Sequence, residues 1–234
     1  FSGGASLIGE YDVVVCGGGA AGIAAAIAAA REQARVLLIE QSGNLGGVGV
    51  NAMCGVWHGN YTRDHKEKVV SGIFQEVVDR LVAQGGAIRA EEDVVSGSRN
   101  LGYGAIHGRS TPFDFEVCKR VLEDFAQEEG VELLYFASVV QPDIKARRIE
   151  GLFLFGKSGL SYVKAKTVVD GTGDADVACR AGCPTEKGRK ADGLMTPGTL
   201  IFVVEDVDSQ AVEKYCLETG DVRFRQIIKK LQAS

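Results

Sequence analysis

The side chains best suited to chemistry in this sequence lie in one short stretch, VNAMCGVWHGNYTRDH, which covers residues 50–65. His58 is a candidate acid or base because the pKa of an imidazole lies near neutrality. Arg63 could bind a carboxylate through its planar guanidinium. Each also has an ordinary explanation, as a structural histidine beside Trp57 and as the solvated start of a helix. The stretch therefore supplies two candidate catalytic residues, His58 and Arg63.

Three further side chains are weaker candidates for chemistry. Cys54 could be a reactive thiol, although a packed small residue explains it better. His107 and Arg109, in the stretch GAIHGRS, form a second loop with an imidazole and a guanidinium. We keep these residues as alternatives to His58 and Arg63.

The cysteine pattern argues against a metal site and against a secreted scaffold. Six cysteines are scattered along the chain without a CxxC pair or a Cys/His cluster. Cys179 and Cys183 come closest to a pair, and we interpret them as two small buried hydrophobic residues near a helix end. We expect no bound metal and a reduced, cytoplasmic environment.

Composition and charge exclude two classes of partner. The 234 residues carry a net charge of −5 and no dense basic run, so a nucleic-acid partner is not expected. No stretch approaches the roughly 18 apolar residues that cross a bilayer, so a membrane partner is not expected either. The 45% hydrophobic content is that of a globular protein with a substantial core.

The elements that must position these side chains begin with a glycine turn, YDVVVCGGGAAGIAAAIAAA, at residues 11–30. The turn fits GxGxxG between a buried strand and a helix, and a second strand, VLLIE, follows. In such a turn Gly17 permits the tight bend, Gly19 lets the backbone approach a pyrophosphate, and Gly22 lets the helix pack on the sheet. Glu40, at the end of the second strand, can accept hydrogen bonds from a ribose and would repel a 2′-phosphate. The pattern indicates dinucleotide binding, with FAD or NAD favoured over NADP.

The rest of the chain alternates between helices and strands. Apolar spacing predicts amphipathic helices over residues 64–84 and 112–129. Five strand-like segments follow, VELLYF, SVVQPDI, RIEGLFLF, LSYVKA and KTVVD. We interpret the middle three as an antiparallel meander and KTVVD as a return to the parallel sheet. A second glycine turn, GTGDADVACRAG, then leads into a short helix.

Three segments resemble the FAD-dependent oxidoreductases of the glutathione-reductase-like superfamily, in particular the branch that contains fumarate reductase flavoproteins. They are VVVCGGGAAGIAAAIAAA with VLLIEQSGNLGG, FDFEVCKRVLEDFAQEEGVELLYFASVV, and AKTVVDGTGDADVACRAG. The resemblance implies an α/β fold, a Rossmann-like parallel sheet with helices and a small antiparallel β-meander, followed by the start of a second domain. It also implies bound FAD.

Carried over by position, the resemblance assigns five groups of cofactor-binding residues. They are Gly17, Gly19, Ala20 and Ala21 at the pyrophosphate, Glu40 and Gln41 at the ribose, Gly46, Gly47 and Val48 near the second phosphate and ribityl chain, Val139 or Val140 at the adenine, and Thr172, Gly173 and Asp174 closing over the cofactor. An ordinary strand-to-helix connection with Asp174 as N-cap would also explain the last group.

The same resemblance predicts how the chain is organised. Residues 1–10 would be a flexible leader, residues 11–185 the FAD-binding domain, and residues 186–234 a linker and the start of an incomplete substrate domain. The chain stops at Ser234, so it is expected to be either a fragment or one chain whose remainder a second polypeptide supplies. The predicted function is hydride transfer between a small organic substrate and flavin. The alternative is a non-catalytic FAD-binding module or one subunit of a larger flavoprotein complex.

Overall fold

The computed structural model describes residues 4–62, 64, 66–91 and 109–233 of the chain. Its strands are β1 Ser6–Cys16, β2 Val36–Ile39, β3 Val56–His58, β4 Ser110–Pro112, β5 Glu132–Leu134, β6 Ala137–Lys145, β7 Arg148–Gly156 and β8 Gly159–Asp170. Its helices are α1 Ala20–Arg31, α2 Gly47–Asn51, α3 Ile73–Ala83, α4 Phe115–Glu128, α5 Asp176–Arg180, α6 Ser209–Thr219 and α7 Arg225–Gln232.

A six-stranded mixed sheet dominates the fold. The strand order is β5-β2-β1-β8-β7-β6. The pairs β5–β2, β2–β1 and β1–β8 are parallel, whereas β8–β7 and β7–β6 are antiparallel. All four residues of β2 are buried, as expected for a strand covered on both faces. The predicted α/β fold, with a parallel sheet and an antiparallel meander, is therefore confirmed.

The sheet contains one strand fewer than the sequence patterns suggested. LSYVKA and KTVVD form a single strand, β8, which pairs antiparallel with β7 and parallel with β1. No turn residue separates the two segments, so the backbone ladder continues through Ala165 and Lys166. The prediction of two strands here was wrong.

The first strand also begins earlier than predicted. Residues 6–10 belong to β1 and pair with β8 from Ser6 onward, with a register shift between Leu7 and Gly9. An ion pair between Glu10 and Lys164 joins the two strands. The prediction of a flexible leader over residues 1–10 was therefore wrong for this part, because β8 offers a long edge on which the extra residues pair.

The described residues fall into two compact units. The first unit comprises Phe1–Ala52 and Cys118–Ile201, and the second comprises Met53–Val117 and Phe202–Ser234. The first unit holds the six-stranded sheet and its core, in which Val14, Cys16, Leu152, Leu154 and Val163 have no exposed surface. The second unit holds the two-stranded ribbon β3–β4.

The helices differ from their predicted limits at their starts. α3 begins at Ile73 rather than near residue 64 because Tyr61 and Lys68 pair in an antiparallel bridge, with Thr62 N donating to Glu67 O at 2.8 Å. Gly72, with a φ of +63°, then turns the chain into α3. α4 begins at Phe115, and the amides of Glu116 and Val117 donate to the Asp114 carboxylate.

Candidate functional site

Two glycines of the first turn are required by packing within the protein. Gly17 has a φ of +95°, and a Cβ there would lie 2.5 Å from the carbonyl oxygen of Gly171. A Cβ on Gly22 would lie 1.8 Å from the carbonyl oxygen of Gly17. These distances are far below van der Waals contact, so the end of β1, the start of α1 and the end of β8 meet through bare backbone. The tight bend at Gly17 and the close helix packing at Gly22 agree with the sequence-based interpretation.

The third glycine, Gly19, has no comparable packing role. Its φ of −75° is open to any residue, and a Cβ there would meet only the Cα of Gly47, at 3.9 Å. Gly19 is the N-cap of α1 and supplies no side-chain acceptor, and Ala20 and Ala21 are exposed. The first amides of a helix lack intrahelical acceptors and carry the positive end of its dipole. This end of α1 is therefore suited to an anionic group such as a phosphate.

The second glycine turn lies directly against the first. Gly46 has a φ of +114°, and its amide donates to the carbonyl oxygen of Gly18 at 2.9 Å. A Cβ on Gly47 would lie 2.9 Å from the Cα of Gly19. Val48 follows with its side chain 73% exposed. The structure thus brings together the residues that the sequence assigned to the two phosphates.

Glu40 is the buried acidic residue of this site. The residue is 7% exposed, and its carboxylate accepts hydrogen bonds from the amides of Gly18 at 2.6 Å and Ser42 at 2.7 Å. A carboxylate offers about four acceptor positions, so two remain for a ligand hydroxyl. Glu40 therefore fixes the glycine turn in addition to any contact with a ribose. Gln41, the next residue, is exposed.

The start of β6 is held beside Glu40 by backbone hydrogen bonds. Ala137 N donates to Glu40 O, and Phe136 N donates to Ser42 O, each at 3.2 Å. Farther along β6, Val139 packs against the core and Val140 is 44% exposed. The predicted adenine-contacting residues therefore belong to the strand that begins next to Glu40.

Phe136 is a residue of this region that the sequence analysis missed. It has a φ of +53° and is 68% exposed, and a Cβ on Gly43 would lie 2.5 Å from its ring. The ring therefore covers Gly43, three residues after Glu40. The only sequence signal was an aromatic residue between two strands, which is too common to single out.

The turn after β8 is organised by Asp170. Its carboxylate accepts from the hydroxyl and amide of Thr172 and from the amide of Ala178 at 2.8 Å. Burial raises the pKa of Asp170, but these hydrogen bonds outweigh it and hold the pKa below its ordinary value. Thr172 Oγ1 in turn accepts from the amide of Asp176.

Asp174 does not cap the helix that follows. The N-cap position belongs to Ala175, and the side chains of Asp170 and Thr172 accept the amides of α5 instead. The interpretation of Asp174 as N-cap was therefore wrong, because a cap could be recognised from sequence only by its nearness to the helix. Gly173 and Asp174 are exposed, and a Cβ on Gly173, which has a φ of +89°, would meet nothing within 4 Å.

The catalytic candidates belong to the second unit, whereas the residues above belong to the first. His58 ends β3, is exposed, and lies opposite Ser110 of β4. The ring of Trp57 stacks on that of Phe113 with centroids 4.0 Å apart. Cys54 is partly buried. Arg63 and His107 lie outside the described residues, whereas Arg109 is described.

The six cysteines are free thiols, and two of them differ from the prediction. Cys179 and Cys183 are exposed rather than buried, because Val177 is the buried residue of the five-residue helix α5 and Cys183 lies beyond its end. Among the described residues, no group of three or more His, Cys, Asp or Glu side chains could hold a metal ion. Within the same residues, every helix is too short or too polar to cross a bilayer.

Comparison with known proteins gives one family and several similar structures. The model of a family described as FAD dependent oxidoreductase matches residues 12–232. The comparison with curated protein sequences gives no match. L-proline dehydrogenase from P. horikoshii has a TM-score of 0.51 at 17% identity, with 74% of this chain and 56% of that chain covered.

Two further structures illustrate the spread of these likenesses. A geranylgeranyl bacteriochlorophyll reductase-like protein from Thermoplasma acidophilum has a TM-score of 0.49 at 15% identity, with 76% of this chain and 43% of that chain covered. An open conformation of a flavocytochrome c3 fumarate reductase has a TM-score of 0.43 at 20% identity, with 70% and 33% covered. The chain spans about half the length of the first two structures. At 17% identity, the likeness to L-proline dehydrogenase concerns the fold alone.

Proposed function

The chain belongs to the FAD-dependent oxidoreductase family, and on this basis we propose that it transfers a hydride between a small organic substrate and flavin. The observation that carries the proposal is the start of α1. Gly19 leaves open space there, no side chain caps the helix, and Gly47 of the second glycine turn lies opposite. An uncapped helix start between two bare backbone turns fits a pyrophosphate.

The phosphates and sugars of FAD would be held by the residues around this opening. Amides of the α1 turn would bind the pyrophosphate, and the carboxylate of Glu40 would accept from the adenosine ribose. The proposed set is Gly17, Gly19, Ala20 and Ala21 at the pyrophosphate, Glu40 and Gln41 at the ribose, and Gly46, Gly47 and Val48 toward the ribityl chain. Gly17 contributes through the bend of the backbone, because the carbonyl oxygen of Gly171 occupies the space where its side chain would be.

Residues of β6 and of the turn after β8 would complete the cofactor site. Backbone groups of Val139 or Val140 would contact the adenine, since β6 begins beside Glu40. Thr172, Gly173 and Asp174 would lie along the cofactor after β8. Gly173 and Asp174 are exposed, and a Cβ on Gly173 would contact no other atom of the described residues. Both residues are therefore accessible to a ligand, which supports this proposal.

The protein's own part in the reaction would be to orient the substrate and to move a proton. Bound flavin supplies the hydride acceptor or donor. His58 would exchange a proton with the substrate, and Arg63 would bind a substrate carboxylate. His58 is exposed at the end of β3, which supports a role that requires access to a ligand.

The organisation of the whole protein is part of the same proposal. We place the FAD-binding domain at residues 11–185 and a linker with the start of a substrate domain at residues 186–234. Residues 184–188 and 193–205 have no helix or strand, which supports a connection at this point. A second polypeptide that completes the substrate domain and a cytoplasmic location are also proposed, the latter from the free cysteines.

Anaerobic reduction of the bound flavin tests this function. The purified protein is loaded with FAD, freed of excess cofactor, and mixed without oxygen with amino acids, hydroxy acids, amines and reduced nicotinamide cofactors. Bleaching of the visible flavin bands by one class identifies a hydride donor and supports the proposal. Retained colour with every class, followed by bleaching with dithionite, would instead favour the non-catalytic FAD-binding module.

A further inference from the structure

A cluster of polar side chains lies at one end of the β3–β4 ribbon in the second unit. His58 pairs with Ser110 across the ribbon, so Arg109, the residue before Ser110, lies at the same end. The guanidinium of Arg109 lies over the ring of Tyr61, 4.8 Å from its centroid. An arginine held against an aromatic face presents its guanidinium in a fixed plane. The ribbon register therefore joins two candidates that are about fifty residues apart in the sequence.

Arg109 has no carboxylate partner within the part of the chain that the structure describes. Its Nε is buried and makes no hydrogen bond there. Other cations of the same unit are paired: Arg89 with Asp79, and Lys68 with Glu91 at 3.1 Å. A buried donor without a partner destabilises the folded protein, so an arginine kept in this state calls for a ligand that accepts its hydrogen bonds.

The described charges next to Tyr61 form an ion pair that excludes Arg109. Glu91 accepts from the hydroxyl of Tyr61 and from Lys68. Burial raises the pKa of Glu91, but these hydrogen bonds outweigh it and lower the pKa, so the group is ionised at neutral pH. Lys68 and Glu91 thus neutralise each other, so no carboxylate among the described residues balances the charge of Arg109. A negatively charged ligand would balance it.

Asn60, the residue before Tyr61, also has a buried polar atom without a hydrogen-bond partner. The residue is 5% exposed, and its side-chain oxygen Oδ1 is buried without a hydrogen-bond partner. Asn60 precedes Tyr61, whose ring carries Arg109, and its backbone oxygen accepts from Val69 and Val70. The backbone is therefore fixed while the side chain is left unsatisfied, which is uncommon for a buried amide.

We infer that Arg109 binds a carboxylate of the substrate, and that the substrate is a small organic carboxylic acid. This inference rests on the proposed function and deepens it by naming the substrate class. The planar guanidinium matches the two oxygens of a carboxylate. Lysine in its place would keep the charge but lose the paired geometry.

Trp57 provides a direct readout of binding, because it is the only tryptophan of the chain and precedes His58 in the ribbon. The full chain is titrated with propionate and lactate, and with their uncharged amides, while tryptophan fluorescence is recorded. Calorimetry of the same titrations reports binding that does not alter fluorescence. We expect saturable binding of at least one acid and none of its amide.

Variants at two arginines separate the carboxylate site from general charge effects. R109Q is expected to weaken acid binding about tenfold to a hundredfold, and R109K to weaken it less. R89Q removes a cation of the same unit that is already paired, so it should bind the acids as the wild type does. Circular dichroism and thermal unfolding establish that each variant is folded.

Three results would overturn the inference: no saturable binding of either acid, unchanged binding by a folded R109Q, or binding of inorganic phosphate as tight as that of the acids. Flavin content, read from the visible absorbance of the same samples, keeps this test apart from the proposed function. Flavin without acid binding contradicts only the role of Arg109. Acid binding that depends on Arg109 in a chain that takes up no FAD contradicts only the proposed function.

Discussion

Glycines that look alike in the sequence have different physical roles in this protein. Gly17 and Gly22 are required because other backbone atoms occupy the places where their side chains would be. Gly19 lies between them, but its backbone angles and surroundings would accept a side chain. The fold therefore does not require glycine at position 19, and a bound ligand that approaches the backbone would explain why glycine is found there.

Replacing Gly19 by valine should therefore separate folding from cofactor binding. The added side chain would enter the opening before α1, so the G19V variant should lose the visible flavin absorbance. The cost to folding should be small, about 1 kcal/mol for a poorer N-cap. Absorbance after FAD loading and unfolding in urea measure the two effects.

The G22A variant is the matched comparison. Its single added carbon would overlap the carbonyl oxygen of Gly17, so it should lower the free energy of unfolding by roughly 1–3 kcal/mol or more. Flavin retained at the wild-type level by a folded G19V variant would contradict the assignment of Gly19 to the pyrophosphate.

Glu40 should matter for both stability and affinity. The Glu40 carboxylate now accepts hydrogen bonds from the amides of Gly18 and Ser42. In E40Q the side-chain NH2 group would face one of these amides, so two donors would meet and one hydrogen bond would be lost. We expect a loss of about 1–3 kcal/mol in the free energy of unfolding and roughly tenfold or greater weakening of FAD binding. Urea unfolding and FAD titration measure these losses.

The exposed Glu150 offers a control of the same chemistry, since E150Q should change neither quantity. If E40Q is destabilised but binds FAD with wild-type affinity, Glu40 serves only the glycine turn and not the ribose.

At the level of elements, the sequence predicted those helices, strands and turns that are marked by apolar periodicity or by glycine spacing. The strand, turn and helix around Gly17 were predicted correctly because apolar runs and bare turns are local features. The single strand β8 was not, because whether a polar residue such as Lys166 interrupts a strand depends on the neighbouring strands. The start of α3 was missed for a similar reason, since the antiparallel bridge between Tyr61 and Lys68 competes with the helix.

In the candidate site too, local sequence features were predicted and features that depend on distant contacts were missed. The sequence marked the two glycine turns and Glu40, and the structure brings them together. Phe136 and Asp170 were missed, because their importance comes from contacts with Gly43 and with the amides after β8. Arg109 was given little weight in the sequence, and only the register of the ribbon places it beside His58.

The turn after β8 should show a pH-dependent stability through Asp170. Because the folded-state pKa of Asp170 is lower than its ordinary value of 3.8, its stabilisation is fully present above that value. The stabilisation is lost as the pH falls through the lower folded-state pKa. The D170N variant should therefore be less stable than the wild type by about 1–3 kcal/mol at pH 7, and the difference should shrink below about pH 4.

Thermal unfolding of both proteins across this pH range measures the effect. D174N changes an exposed carboxylate of the same turn, and we expect its stability to follow the wild type at every pH. A D170N deficit that stays constant with pH would mean that the hydrogen bonds do not depend on the charge of Asp170.

At the scale of the whole molecule, each of the two units is composed of two separate segments of the chain. The first unit is assembled from residues on both sides of the second unit's first segment. The family match nevertheless covers residues 12–232 without regard to this division. Membership of the family, the fold class and FAD as the family's cofactor were all predicted from the sequence and are confirmed.

The distribution of thiols gives a test of the global structure. Cys179 and Cys183 are exposed, whereas Cys16, Cys118 and Cys216 are buried. Burial, with the charge of Asp170 adding to it, raises the pKa of Cys16 to about 12, so its thiolate is scarce. A chromogenic thiol reagent should therefore modify two thiols rapidly and three only after unfolding.

The C179S/C183S double variant should lose the rapid phase. Rapid modification of any buried cysteine, identified by peptide mass, would contradict the core described here.

The pairing of β1 with β8 also has a consequence for the order in which the protein is made. Asp12 and Lys166, which form an ion pair between these strands, are 154 positions apart in the sequence. During vectorial synthesis the nascent β1 has β2 as a neighbour early, but its other edge stays open until β8 emerges from the ribosome. Contacts of such long range slow folding. The bend at Gly17 closes against Gly171 only at that late point, so we expect the newborn chain to acquire its nucleotide-binding form only after Gly171 has left the ribosome.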